Sequence, residues 1–286
     1  MKNFLILTNE KKDPGLRISK HIQEYIEKKG GKSYRMCEFT RDIQENIKGI
    51  TDDTECVIVL GGDGTMLHAA RLVVEHDLPM VGVNLGTLGF LTEIEVPKLY
   101  DGLDCLLNDQ FHIENRSMLE GEIIHDGKET YRLSALNDAA ITRSGFSRIV
   151  SLKIMVNGKL LDVYEADGII ISTPTGSTGY NLSAGGPVVC PKADVILVTP
   201  ICPHSLQAKS MVLSGKDEIE IYIEKVRENQ LEEAFATFDG QVAQKLSPGD
   251  ILRVRSSQKM AKVIKMNGDS FYRTLRVKVG GRHEEK

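Results

Sequence analysis

Apolar and polar positions divide the chain into two textures. Over the first hundred residues, short apolar runs alternate with amphipathic stretches. Residues 4–7 (Phe-Leu-Ile-Leu) form one such run and read as a strand. Asp13-Pro14 then opens a helix, because proline suits a first helical turn and aspartate can cap it. Ile18, Ile22 and Ile26 recur every four residues and give that helix one apolar face; Gly30-Gly31 ends it. Residues 56–60 (Cys-Val-Ile-Val-Leu) are continuously apolar, as a parallel strand buried on both faces requires. A helix is predicted from Met66 to about Glu75, and a second buried strand over residues 80–84. That is a β-α-β unit of ordinary spacing, which implies a parallel sheet. A helix near residues 97–107 closes the region.

From about residue 113 the helical period fades. Short alternating or β-branched runs replace it, at 120–124, 152–156, 168–172, 195–199, 218–223 and 251–254. Asn157-Gly158 between two such runs is the sharpest turn signal, a two-residue hairpin turn with positive φ at both positions. Residues 270–277 read as a helix that packs back on the first region, and the charged tail 280–286 reads as frayed. The expected organisation is therefore an α/β domain over residues 1–110, joined by a carboxyl-terminal helix within 268–286, and an antiparallel all-β domain over 111–267.

Composition narrows the function classes. The 286 residues are 41% hydrophobic and 27% charged, an ordinary mixture able to bury a core. Thirty-six Lys and Arg against 40 Asp and Glu give a net charge of −4, so no global positive field draws in nucleic acid, and no basic run carries interleaved aromatics. No apolar run approaches the roughly 18 residues that span a bilayer. The start, MKNFLILTNEKKDPG, is too briefly apolar for a signal peptide, so a cytoplasmic protein without membrane partners is expected. The five cysteines are scattered and form no CxxC pair, which argues against a disulfide framework or structural zinc.

Two segments carry chemistry. Gly61-Gly62-Asp63-Gly64-Thr65 joins the carboxyl end of a buried parallel strand to a helix, the place where open α/β sheets bind ligands. Glycines let a ligand approach the backbone, and the helix's first N–H groups favour phosphate. A carboxylate there would repel a bare anion. It suits a general base for a hydroxyl, a Mg²⁺ holder, or simply a cap for the turn. Neither a Rossmann GxGxxG nor a Walker A loop is present. The second segment runs from Asp167 to Pro187. A strand leads into Ser-Thr-Pro-Thr-Gly-Ser-Thr-Gly-Tyr180, with six hydroxyl residues between Ser172 and Ser183. Tyr180 offers a flat face for a base. Pro174, Tyr180 and Leu182 argue against a plain flexible linker.

Smaller signals surround these. Asn137-Asp138 places an amide beside a carboxylate, able to read an amine or ribose hydroxyls, or to make an Asx turn. Gly86-Thr87-Leu88-Gly89-Phe90 follows the second buried strand and either lines the same cleft or leads into a helix with a core Phe. His204 beside Ser205 invites a nucleophile reading, but neighbours in sequence rarely form a catalytic pair and no GxSxG elbow exists; a structural or ligand-facing His204 is the better reading. Phe238-Asp239-Gly240 looks like a hairpin turn, with a functional Asp239 only by context.

GGDGT, Asn137-Asp138, the Asp167 to Tyr180 segment and Phe238-Asp239-Gly240 occur in the order and at the separations found in NAD kinases, and the chain resembles that family over nearly its whole length. GGDGT alone also marks diacylglycerol and sphingosine kinases; the long STPTGST-x-Y loop is far more specific. The resemblance implies phosphorylation of the 2′-hydroxyl of the adenosine ribose of NAD, giving NADP. It implies an open α/β amino-terminal domain and a β-sandwich-like carboxyl-terminal domain with the active site between them, and dimers or tetramers. It assigns Asp63 to activating the hydroxyl, while the position of the loop itself offers Gly61, Gly62, Gly64 and Thr65 to the donor's phosphates. It assigns Gly64, Phe90, Asn137, Asp138, Thr178, Gly179, Tyr180 and Ser183 to NAD, and Asp167 to a dinucleotide on the neighbouring subunit. Three departures stand out: Asp138 where the family has Glu, Gly179 where it often has Ala, and Leu91 where some relatives have Tyr. Phosphoryl transfer at so charged a donor calls for a divalent metal, Mg²⁺ arriving with the donor rather than a resident ion. The donor stays open among ATP, another nucleoside triphosphate and polyphosphate. A lipid kinase would need an apolar or basic membrane face that the sequence lacks, and a silent dinucleotide sensor could dispense with Asp63.

Overall fold

The computed structural model of the chain describes residues 1–8, 11–36, 50–144, 149–205, 207–225, 234–266 and 270–280. Two compact units emerge. One comprises Met1–Asn115 with Ala261–Lys286, the other Arg116–Met260.

The first unit begins β1 (Asn3–Leu7), α1 (Arg17–Lys28), β2 (Lys32–Met36), β3 (Cys56–Gly61), α2 (Asp63–Val73), β4 (Pro79–Asn84), β5 (Ile94–Glu95) and α3 (Leu99–Leu107). Strands β2, β1, β3 and β4 lie side by side and parallel, in that order. Every residue of β3 and β4 is buried, which is why both are apolar on both faces. Ile22 and Ile26 of α1 join Phe4, Ile6, Ile58, Leu60 and Val81 in the core.

Local boundaries depart from the sequence reading in physically simple ways. Pro14 opens a single 3₁₀ turn, not the helix; Gly15 (φ 66°) and Leu16 (φ 53°) are left-handed, and α1 starts at Arg17. Asp13 still serves the helix, because its carboxylate accepts from the N–H groups of Ile18 and Ser19, both at 2.9 Å. Burial pushes the Asp13 carboxyl up, but these hydrogen bonds outweigh it and hold the pKa below the ordinary value. Helix α2 starts at Asp63 rather than Met66, so Asp63 sits in its first turn. Residues 86–90 lead into β5, not into a helix.

The second unit contains β6 (His112–His125, whose first residues belong to the first unit), β7 (Lys128–Ala135), β8 (Asp138–Arg143), β9 (Val150–Val156), β10 (Lys159–Ala166), β11 (Gly168–Ser172) and α4 (Tyr180–Ser183). It continues with β12 (Val195–Ile201), β13 (Met211–Ser214), β14 (Ile219–Glu224), β15 (Ala234–Phe238), β16 (Val242–Leu246) and β17 (Ile251–Lys265). One antiparallel sheet has the order β13-β12-β11-β8-β15-β16; the other runs β10-β9-β14-β17, with β6 and β7 beyond β17. Inward residues of both sheets, among them Ile141, Ile169, Ile171, Leu152, Ile154, Ile221 and Leu252, share one core, which makes the unit a sandwich. Asn157 (φ 50°) and Gly158 (φ 74°) turn β9 into β10, with Val156 opposite Lys159, as the sequence predicts.

The chain then returns to the first unit. Lys262 and Val263 of β17 pair parallel with Pro79 and Met80, and the last helix, α5 (Ser270–Lys278), sets Phe271 5.9 Å from the ring of Phe90. Among the described residues no helix is long and apolar enough to cross a membrane.

Candidate functional site

On the α/β unit the candidates converge on Asp63. It stands at the carboxyl end of β3, in the first turn of α2, and two backbone groups of the 86–91 segment fix its carboxylate. The N–H of Phe90 donates to Oδ2 at 2.9 Å and that of Leu91 to Oδ1 at 3.0 Å. Gly89 makes this possible, since a Cβ there would lie 2.0 Å from Asp63 Oδ1. Each carboxylate oxygen accepts one N–H and keeps a further acceptor site, so the group is oriented without being used up. Thr65 covers Gly61, whereas a Cβ at Gly62 or Gly64 would meet nothing within 4 Å, so the middle of the loop is open to a ligand. Phe90 is half-buried between Phe271 and the Lys278 ammonium, which lies 5.2 Å from its ring centroid. Sequence reasoning singled out Asp63 and the loop but missed the role of Gly89 and the Leu91 N–H, which a local motif does not show.

On the sandwich unit the start of β8 and the ends of β11 and β15 meet at one end of the six-stranded sheet, because β8 runs antiparallel to both neighbours. This brings Asn137, Asp138, Thr173 and Asp239 together. Asp239 sits in the β15–β16 turn with φ 52°, followed by Gly240 at φ 64°. Its carboxylate accepts from the N–H groups of Leu136 (3.1 Å), Asn137 (2.7 Å) and Asp138 (3.4 Å). From the other side Thr173 donates its N–H to the Asn137 carbonyl (2.8 Å) and its hydroxyl to the Leu136 carbonyl (2.6 Å). The 136–138 backbone is thus held on both sides, and the side chains of Asn137 and Asp138 are left for other partners. Asn137 Oδ1 is buried with no hydrogen-bond partner among the described residues, which is not the pattern of an Asx turn. Asp138 is 5% exposed; burial, and then the charge of Asp239, push its pKa up to about 7.

The hydroxyl-rich loop is internally bonded. Ser177 Oγ donates to the Val189 carbonyl and accepts the Val189 N–H (3.2 and 3.0 Å). Asn181 donates to the Ser177 and Pro187 carbonyls (3.3 and 3.0 Å) and accepts the Thr199 hydroxyl (2.7 Å). Ser172 and Thr173 are also committed internally, so these hydroxyls shape the loop. Thr178 and Gly179 remain half-exposed, and Tyr180 and Ser183 exposed. A Cβ at Gly179 would sit 3.3 Å from Asn137 Nδ2, so this glycine lets the Asn137 amide lie close. The Tyr180 hydroxyl has a raised pKa, through burial first and then the charges of Asp138, Cys202 and Asp167.

Asp167 lies at the far end of β11 from Thr173 and pairs with Arg143 at 2.7 Å. His204 is exposed, and its N–H donates to the Glu165 carbonyl at 2.8 Å. No group of three His, Cys, Asp or Glu able to hold a metal occurs among the described residues.

Comparison with known proteins gives the family and the fold. Residues 6–111 match the family model described as ATP-NAD kinase N-terminal domain, and residues 136–266 the ATP-NAD kinase C-terminal domain. An NAD kinase of Lachnoclostridium phytofermentans is 44% identical over 283 residues, covering 98% of this chain and 99% of that one. Yeast NADH kinase complexed with NADH shares the fold with a TM-score of 0.83 at 22% identity, over 100% of this chain and 89% of that chain. An NAD kinase from Archaeoglobus fulgidus in complex with ATP gives 0.75 at 24% identity, over 98% and 100%.

Proposed function

Since this chain belongs to the NAD kinase family and is a kinase, we propose that it moves a phosphoryl group from ATP, another nucleoside triphosphate or polyphosphate to the 2′-hydroxyl of the adenosine ribose of NAD, releasing NADP. The observation that carries this reading is the Asp63 carboxylate, aimed by two backbone N–H groups beside an open glycine loop. Asp63 takes the proton of the 2′-hydroxyl on a carboxylate oxygen as the hydroxyl attacks the donor's terminal phosphorus and that phosphorus loses its bond to the bridging oxygen, so that the donor leaves one phosphate shorter. Gly61, Gly62, Gly64 and Thr65, at the amino-terminal end of α2, cradle the donor's phosphates. Asn137 offers its orphaned Oδ1 and its amide N–H to the adenosine, Asp138 accepts from a ribose hydroxyl or the base amine, and Tyr180 stacks on the base. Thr178, Gly179 and Ser183 contact the NAD beside Tyr180; Phe90 offers it a further aromatic ring and His204 a further polar contact. These interactions are mostly positioning, which is what phosphoryl transfer asks of a protein.

The glycine loop offers one acidic side chain, which suits a divalent cation, Mg²⁺, carried by the donor's phosphates and offsetting their charge. We read the protein as a cytoplasmic homodimer or homotetramer in which Asp167, held by Arg143, reaches the dinucleotide of a neighbouring subunit; none of the four described cysteines forms a disulfide. The direct test is NADP formation from NAD and Mg²⁺, run in parallel with ATP and with polyphosphate. Product with either donor supports the reading. Bound NAD without product from either points to a silent sensor.

A further inference from the structure

The two N–H groups that orient Asp63 belong to Phe90 and Leu91, and the end of the chain holds the segment that carries them. On the downstream side Leu91 is buried, and the Glu93 N–H donates to the Gly82 carbonyl of β4 at 2.9 Å. The Glu93 carboxylate accepts from Lys265 Nζ and from the Met266 N–H, both at 3.0 Å, where β17 ends. The upstream side is looser. Gly86 and Thr87 are exposed, and Asn84 Oδ1 accepts the Gly86 N–H at 3.0 Å. There α5 supplies the hold. Phe271 sets its ring 5.9 Å from that of Phe90, tilted by 47°, and Lys278 places its ammonium 5.2 Å from the same ring.

Helix geometry explains why one ring receives both groups. Phe271 and Lys278 are seven positions apart, close to two turns, so they share a face of α5. Thr274, between them, is buried. Towards Leu85 and Leu88 the helix leaves a cavity of about 550 Å³ that Val277 also lines, so its grip on this segment is concentrated on Phe90. A tilted aromatic pair fixes ring direction as well as burying area, and a cation over the ring adds to it. The Phe90 ring and the Phe90 N–H belong to one residue, so holding the ring also limits where the N–H can point. Gly89 leaves no slack, since a Cβ there would lie 2.0 Å from Asp63 Oδ1.

On the footing of the kinase reading, we propose that Phe271 is a positioning residue for phosphoryl transfer. From α5 it holds the Phe90 ring, and through the Phe90 and Leu91 N–H groups it keeps the Asp63 carboxylate directed at the attacking hydroxyl. Lys278 supports it from the same helix face.

The test pairs kinetics with amide hydrogen exchange in the full-length enzyme, using NAD, ATP and Mg²⁺. Phe271→Ala is expected to lower kcat about tenfold with KM for NAD within about threefold, because a misplaced reacting group slows the chemical step more than it weakens binding. Phe271→Leu keeps apolar bulk against Phe90 and is expected to recover most of that loss, ending about two- to threefold below the parent. Arg276→Ala, at an exposed position of α5, is expected to leave kcat unchanged. In an Asp63→Asn background Phe271→Ala is expected to cause no further loss, since both changes act at one carboxylate. The amides of Phe90 and Leu91 are expected to exchange about tenfold faster in Phe271→Ala, with those of β3 unchanged. The proposal falls if folded Phe271→Ala keeps the parent kcat, if it raises KM for NAD and spares kcat, or if it costs a further tenfold in the Asp63→Asn background. Where Phe271→Ala does not fold, Phe271→Leu and Lys278→Met decide. Each is expected to lower kcat about two- to threefold, and parent rates in both overturn the proposal. A parent enzyme that makes no NADP from any donor overturns the kinase reading instead. The exchange rates then still judge the hold of α5 on the segment, which unchanged protection of Phe90 and Leu91 in Phe271→Ala would refute.

Discussion

Gly89 has no side chain, and Asp63 occupies the space. An alanine there would place its Cβ 2.0 Å from Asp63 Oδ1 and push the carboxylate off the Phe90 and Leu91 N–H groups. Displacing a reacting group by about 1 Å can cost on the order of 10²-fold in rate. Gly89→Ala is therefore expected to lower kcat roughly 10- to 100-fold while KM for NAD moves less than about threefold. Asp63→Asn preserves the shape but removes the proposed base, with an expected loss of about 10²–10⁴ in kcat and NAD still bound by calorimetry. An Asp63→Asn enzyme with unchanged turnover would remove Asp63 from the proton transfer. Asp138 adds a pH dependence. Its pKa is about 7 in the folded chain, through burial and then Asp239, against about 3.9 in the unfolded chain. Between those values the folded state holds a proton that the unfolded state has released. The stabilisation from the neutral carboxyl is thus complete below about pH 4 and lost as pH rises through about 7. Asp138→Asn stays neutral throughout, so its stability relative to the parent is expected to rise by a few kcal/mol between pH 5 and pH 8. Urea midpoints that move in parallel at the two pH values would show that Asp138 does not titrate there.

At the level of elements, the β15–β16 turn acts as a positioning device for the 136–138 segment. Asp239→Ala puts alanine at a φ of 52° and removes the acceptor of three N–H groups, an expected loss of about 2–4 kcal/mol. Asp239→Asn tolerates the same backbone and keeps one acceptor oxygen, so it should lie between parent and alanine. Both should raise KM for NAD more than they lower kcat; an unchanged KM in the folded alanine variant would refute the positioning role. The same turn shows which features sequence makes visible. Asn157-Gly158, the β-α-β unit and the glycine loop are local patterns, and each is found where its residues predict it. Strand β2 was hidden, because Lys-Ser-Tyr-Arg-Met lies at the sheet edge with only Ser33 buried and so has no apolar signature. The contacts of Asp63 with residues 27 and 28 positions away, and of Asp239 with residues over a hundred away, leave no local trace. From sequence, the six hydroxyls of the 172–183 loop read as ligand-facing donors and acceptors. Ser172, Thr173 and Ser177 instead bond internally, since they fall where the strand end and its turn must satisfy buried carbonyls.

For the whole molecule, the decisive feature is that the α/β unit is completed by the end of the chain. After β17 leaves the sandwich, Lys265 meets Glu93 at 3.0 Å with the two side chains 1% and 2% exposed, and the Met266 N–H donates to the same carboxylate at 3.0 Å. A buried pair of this kind contributes little beyond an apolar pair of equal volume, but removing one partner strands the other charge in a medium that solvates it poorly. Lys265→Met is therefore expected to cost about 3–5 kcal/mol. Glu93→Leu together with Lys265→Met should recover most of that, short of the Met266 hydrogen bond, so the two changes should be strongly non-additive in urea unfolding. Additive losses would mean that the pair is not coupled and that the return of the chain is held by β17 pairing and α5 packing alone. If the coupling holds, a fragment ending at Asn115 lacks the strand beside β4, the cation for Glu93 and the aromatic partner of Phe90 at once. It should then fail to give a cooperative thermal transition, even though it carries the whole glycine loop and Asp63. The unit that carries Asp63 would in that case depend on residues made more than 140 positions later, a separation that also slows folding.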